Sequence, residues 1–232
     1  MVLFRCSYLF IFGVFIVSGC TNSDKKEIDS SDSAIESVIP QENDTLAFEE
    51  LVQNYEAPDR GVWQNPELII DQFGDLKGKI VADVGAGTGY FSFRLAADSA
   101  HVIAIDIDEQ FLDYIAERKQ ELVNLPGSIA TRLSVPDDPL LKDSEAHFVL
   151  IVNTYHFLSD RASYLKKLRK GLKENGSIII VDFKSGKLPV GPLEEDKITI
   201  EIVTEELKKA GFSEIRRDTS ALKYQFIINA NR

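Results

Sequence analysis

Residues Val81–Tyr90 read VADVGAGTGY, and this stretch decides the fold. Ile80, Val81, Ala82 and Val84 make a short apolar run, the pattern of a parallel strand buried on both faces. Gly85, Gly87 and Gly89 follow at alternate positions, so the chain turns tightly and brings bare backbone up to whatever lies beyond the strand. The next residues, TGYFSFRLAAD, carry Tyr90, Phe93, Leu95 and Ala97 as packing positions of a helix. A strand, a glycine turn and a helix N-terminus together make a cofactor-binding corner.

The spacing of the glycines narrows the cofactor. A dinucleotide site has the pattern G-x-G-x-x-G, with a pyrophosphate between the second and third glycines. Here the pattern is G-x-G-x-G, and an acid, Asp83, sits inside the end of the strand, where it would repel a pyrophosphate and help hold a cationic amino-acid tail. Seventeen positions beyond Gly89, VIAIDIDEQF ends a second apolar strand in Asp106, placed to accept both hydroxyls of a ribose. Together these residues resemble the class I S-adenosylmethionine-dependent methyltransferases. The resemblance implies that Asp83, Gly85, Gly87, Thr88, Gly89 and Tyr90 surround the methionine end of the cofactor and that Asp106 and Ile107 lie at the ribose. VPDDPLL, after a third strand SIATRLS, falls where the family cradles adenine; it offers Val135 and either Asp137 or Asp138.

HFVLIVNTYHFL is a fourth strand and its exit. The exit lies at the carboxyl edge of the sheet, where open α/β sheets bind ligands. Asn153 joins the cofactor candidates, and His156 and Tyr155 are the candidates for a substrate-side or general-base role. The exit lacks the prolines of nucleic-acid nitrogen methyltransferases and is closer to small-molecule enzymes of the quinone-methylating kind. Ahead of the first strand, Tyr55, Trp63 and Gln64 cluster without periodicity. In relatives such a segment folds over the cofactor, so these three are candidate substrate contacts; Trp63 serves equally well as a staple of the helix that begins near Pro66. With His156 they predict a pocket walled by aromatics and holding one imidazole, suited to an apolar or aromatic acceptor rather than a polyanion.

The remaining elements complete a doubly wound, seven-stranded, mostly parallel sheet with an antiparallel C-terminal strand. DEQFLDYIAERKQEL is a helix capped by Asp108; DRASYLKKLRKGLKENG is one capped by Asp160 and stopped at Asn175–Gly176; SIIIVDF is the fifth strand. A glycine- and proline-rich loop, KSGKLPVGPLEEDK, leaves the same sheet edge, and TIEIVTEELKKAGF is the last helix. SEIRRDTS and ALKYQFIINA are the final strands, close enough to pair as a hairpin.

Three segments follow from composition. Residues 1–19 read as a signal peptide: Arg5 precedes an apolar run too short to span a bilayer, and VSGC resembles the bacterial lipobox, which implies cleavage before Cys20 and its lipidation. Residues 20–50 read as a disordered acidic tether, since nine acids and two lysines fall between Thr21 and Glu50. The methyltransferase-like domain is expected over 51–232, anchored by lipid to a membrane of the bacterial cell envelope. The net charge of −11 argues against nucleic acid as a partner. Both cysteines lie in the first twenty residues, and the three histidines include no pair at ligand spacing, so no thiol relay and no metal are expected. S-adenosylmethionine is the expected cofactor, and methyl transfer to a small-molecule acceptor the expected function. The alternatives are a non-catalytic module that binds S-adenosylmethionine or S-adenosylhomocysteine and a nicotinamide-dependent oxidoreductase. The acceptor and the oligomeric state are not legible in the sequence.

Overall fold

The structure is a computed structural model that describes residues 42–122 and 124–232. The expected signal peptide, Cys20 and most of the expected tether lie outside the described residues. Seven strands form one sheet in the order β3-β2-β1-β4-β5-β7-β6. They are β1 (Ile80–Val84), β2 (His101–Asp106), β3 (Ser128–Leu133), β4 (Ala146–Val152), β5 (Leu172–Phe183), β6 (Ser213–Asp218) and β7 (Gln225–Asn231). The first five run parallel, and β7 runs antiparallel to both β5 and β6. This is the expected doubly wound sheet with its closing hairpin.

Alternation along the strands divides the sheet into two buried faces. Val81, Val102, Leu150, Ile179 and Ile227 pack with helices α3 (Pro66–Asp71) and α4 (Tyr90–Ala97) on one side. Ala82, Val84, Ile105, Ile151, Ile180 and Ile228 pack with α6 (Arg161–Gly171) and α7 (Ile200–Lys209) on the other. Because both faces are covered, the central strands carry apolar residues at successive positions. The caps read from the sequence are formed: Asp108 accepts from the Gln110 amide at 2.9 Å at the start of α5 (Glu109–Glu121), and Asp160 from the Ser163 amide at 3.1 Å.

Two boundaries differ from expectation. Helix α1 (Glu42–Tyr55) begins inside the stretch expected to be tether, so residues 42–50 are helical. Its aromatic side chains explain this: the Phe48 ring lies 5.0 Å from Phe111 of α5, a contact that orders the helix through packing rather than propensity. Helix α6 stops at Gly171, not at Asn175–Gly176, and β5 starts at Leu172. Leu172 is fully buried and pairs with Ala146, so the strand gains more from this residue than the helix would.

Candidate cofactor and acceptor site

The carboxyl ends of β1, β2, β4 and β5 meet at one edge. After β1 the Gly85 and Ala86 amides both donate to the Ile105 carbonyl, at 2.8 and 3.0 Å, which bends the glycine loop across the end of β2. Gly85 has φ +72°, and a Cβ there would collide with the Thr154 side chain, so only glycine fits. Gly87 has φ +51°, and its nearest neighbour is the Tyr55 ring at 3.4 Å from where a Cβ would stand.

The two acids read from the sequence have different surroundings. Asp83 is buried and accepts a 2.6 Å bond from the Ser92 hydroxyl of α4. Burial pushes its carboxyl up to about 6; the Ser92 hydrogen bond and the Arg60 charge act in the opposite direction. Asp106 accepts from three backbone amides: Gly87 at 2.8 Å on one oxygen, Ile107 at 2.8 Å and Asp108 at 3.1 Å on the other. A carboxylate offers about four lone-pair sites. A ribose that engaged Asp106 through both hydroxyls would therefore displace one of these three contacts.

Beside Asp106, Ile107 is exposed and Tyr55 stacks on Phe111 at 5.6 Å. Desolvation by burial raises the Tyr55 hydroxyl, and the Asp106 charge adds to it. Glu56 accepts from the Thr88 hydroxyl at 2.7 Å and from Arg118 of α5 at 3.2 Å, which fastens the end of α1 to the glycine loop. Tyr90 is held between the guanidinium groups of Arg60 and Arg94, 4.0 and 3.8 Å from its ring. In the turn read as the adenine cradle, Asp138 is engaged by the Leu140 amide and by Lys167 at 3.1 Å, the more exposed Asp137 carboxylate stands 3.9 Å from the same lysine, and Val135 is exposed.

Several candidates play other parts than expected. Gln64 is buried, not open to a substrate: its side-chain oxygen accepts from Arg60 at 2.6 Å and its amide donates to Gln225 at 3.2 Å. Gln225 in turn donates to Asn153, and Arg60 also donates to the Tyr55 carbonyl at 2.6 Å. A chain of amide contacts thus runs from the end of α1 through helix α2 (Arg60–Gln64) and β7 to the tip of β4. Trp63 lies 6.0 Å from Phe183 at the end of β5. Tyr155 is turned inward and fully buried; its hydroxyl donates to Glu206 at 2.7 Å, and burial raises it far above the ordinary phenol range. It is a packing residue, because the short helical turn Tyr155–Phe157 directs successive side chains to different sides.

His156 does lie at the sheet edge, with a partner that sequence reasoning missed. Its Nδ1 is 2.9 Å from Asp182 Oδ1, and its own amide donates to Asp182 Oδ2 at 3.2 Å. The two side chains are 3 % and 1 % exposed. A carboxylate only accepts, so Nδ1 carries the proton and Nε2 is the nitrogen left to offer a lone pair. Among the described residues Nε2 has no hydrogen-bond partner, and His156 is one of the residues that line a cavity of about 330 Å³. Phe157, Ile198 and Ile202 supply that cavity's apolar wall, so Tyr55 and Trp63 do not share it as expected. Asp182 had a readable signal: it ends an apolar strand as Asp83 and Asp106 do.

Known proteins share this domain and fold. A family profile described as "Methyltransferase domain" matches residues 82–178, which run from β1 through β5. A crystal structure of a SAM dependent methyltransferase from Aquifex aeolicus superposes with a TM-score of 0.72 at 26% identity, over 79% of this chain and 97% of that one. The chain carries a methyltransferase domain of the class I, S-adenosylmethionine-dependent kind. Its cofactor is S-adenosylmethionine, and the nicotinamide alternative is set aside. This methyltransferase is also 32% identical over 119 residues to the tRNA U34 carboxymethyltransferase of Desulfotalea psychrophila, covering 51% of this chain and 36% of that protein. It is 26% identical over 136 residues to an uncharacterized methyltransferase of Schizosaccharomyces pombe, covering 56% and 48%. The chain thus spans between about a third and a half of the length of these curated relatives.

Proposed function

We propose that the protein transfers a methyl group from S-adenosylmethionine to a small-molecule acceptor, and that lipid on Cys20 holds it to a membrane of the cell envelope. The observation that carries the first part is the His156–Asp182 pair: His156, whose Nε2 has no partner among the described residues, lines a cavity on the same sheet edge as the glycine loop and Asp106. S-adenosylmethionine supplies an activated methyl on a sulfonium. The chain's own residues then have to align an acceptor with it, exclude water and take a proton where the acceptor carries one. Asp83 and the Gly85–Gly89 backbone suit the charged methionine end, and Asp106 suits the ribose. Asp182 fixes the His156 ring in the tautomer whose Nε2 accepts. The name of the Desulfotalea relative raises tRNA as an acceptor; the net charge of −11 and the acids at the cavity rim speak for a small molecule.

The test is release of S-adenosylhomocysteine from purified protein offered small-molecule acceptors, with His156→Ala as the control. Turnover should fall by roughly 10²–10⁴-fold while cofactor affinity stays nearly unchanged. A wild-type rate in His156→Ala would remove His156 from the chemistry. Cofactor binding without release from any acceptor would favour the non-catalytic module. For the anchor, labelled fatty acid should enter the wild-type protein and not Cys20→Ser; equal membrane retention of both would refute lipidation.

A further inference from the structure

We propose that the acceptor is a cationic amine, methylated on nitrogen, an inference that rests on the methyl-transfer reading above and names its substrate class. The charges around the His156 cavity carry it. Two cations reach the cavity, and each is already matched. Arg161 donates through Nε to both oxygens of Glu206, at 3.1 and 3.0 Å. Lys197, whose side chain is 4 % exposed, gives its ammonium to the Gly186 carbonyl at 2.5 Å and to Glu194 at 3.1 Å. Glu195 and Asp196 also line the cavity, and among the described residues neither forms an ion pair. The surplus charge at the mouth is negative, which attracts an ammonium and repels a carboxylate or phosphate.

The wall adds a second, independent feature. Phe157 is 73% exposed, and its ring stands 4.1 Å from the His156 ring, centroid to centroid. A phenyl group left in solvent adds nothing to the core, but its face attracts a cation. Ile202, half-exposed, and the buried Ile198 provide an apolar surface for the rest of the molecule. A volume of about 330 Å³ lies at the lower end of small-molecule sites.

The chemistry requires the buried base. An alkylamine is protonated near neutral pH and has no lone pair until it loses a proton. His156 Nε2 takes that proton, and the resulting imidazolium is held by Asp182. The freed nitrogen pair forms a bond to the methyl carbon while the carbon–sulfur bond breaks. The sulfur keeps that electron pair, which leaves neutral S-adenosylhomocysteine and a methylated ammonium. The proton on His156 passes to water.

The experiment uses the full chain saturated with S-adenosylhomocysteine, titrated by calorimetry with two matched trios: benzylamine, benzyl alcohol and benzoate; phenethylamine, phenylethanol and phenylacetate. Each amine should bind at least tenfold more tightly than its alcohol, and the acids more weakly than either. The double variant Glu195→Gln, Asp196→Asn should lower amine affinity about five- to tenfold and leave the alcohols unchanged. Alcohols or acids that bind as well as amines, or an amine preference that survives in the double variant, overturn the assignment. The same compounds are then offered to protein loaded with S-adenosylmethionine. Faster methylation of alcohols or acids refutes the amine class and leaves methyl transfer standing. Cofactor binding with no methylation of any compound refutes methyl transfer, and the amine assignment with it.

Discussion

Ser92→Ala is the substitution whose consequence the structure defines most closely. The hydroxyl donates a 2.6 Å bond to Asp83, and both side chains are buried. Burial already holds the Asp83 carboxyl at about 6, above its ordinary 3.8, and the Ser92 bond is the largest influence in the other direction. Because the folded value is raised, the stability attached to protonated Asp83 is fully present below about pH 4. It is lost as pH rises through about 6, a cost of roughly 3 kcal/mol at one pH unit per 1.36 kcal/mol. Cofactor binding runs the other way, since an ionised Asp83 favours the ammonium of the methionine end. Wild-type affinity should therefore be about tenfold weaker at pH 5 than on its plateau above pH 7. Removing a hydrogen bond to a charged group costs about 1.5–3 kcal/mol, which lifts the carboxyl by a further one to two pH units or so. In Ser92→Ala the affinity midpoint should move to roughly pH 7–8, and the loss of folding stability should be larger at pH 7.5 than at pH 4.5. Calorimetric titration with S-adenosylmethionine across pH 5–9, paired with urea denaturation at the two ends, measures both. An affinity midpoint identical in wild type and variant would refute the reasoning.

Asp106→Ala should weaken S-adenosylmethionine by about 1–3 kcal/mol through loss of charged hydrogen bonds, and it also frees the Gly87 amide; unchanged affinity by calorimetry would take Asp106 out of the cofactor site. Gly85→Ala places a methyl against Thr154 at a positive φ and should cost about 2–4 kcal/mol in denaturant melts, part of it recovered by Thr154→Ala. Tyr155→Phe removes the bond to Glu206 and should lower stability by about 1–2 kcal/mol while turnover per folded molecule stays at the wild-type level. A large rate loss in that variant would return Tyr155 to the chemistry.

The parts of the site that were legible in the sequence are those written locally. Asp83, the glycines and Asp106 each sit at the tip of an apolar run, and a run of that kind fixes where its last side chain points. The strand order followed, because a glycine corner, crossover helices and a closing hairpin leave few topologies open. The illegible parts depend on contacts between distant residues. Asp182 pairs with a histidine 26 positions earlier, and Gln64 with a glutamine 161 positions later. Neither separation leaves a periodic trace. Tyr155 and His156 are neighbours in a turn, and only its geometry decides which of them faces inward. The end of α6 was misplaced for a similar reason: Asn175–Gly176 is a good stop signal, but Leu172 had a strand partner waiting in Ala146.

The amide chain from Arg60 through Gln64 and Gln225 to Asn153 has a consequence for the order in which the protein is made. Every residue proposed to hold the cofactor is translated by the tip of β4, but the glutamine that ties the covering segment to that tip arrives 72 residues later. At about 5–20 residues per second, the ribosome needs roughly 4–14 s to bridge that gap. For that interval the covering segment is fastened to the glycine loop through Glu56, and its second tie, to the tip of β4, has yet to form.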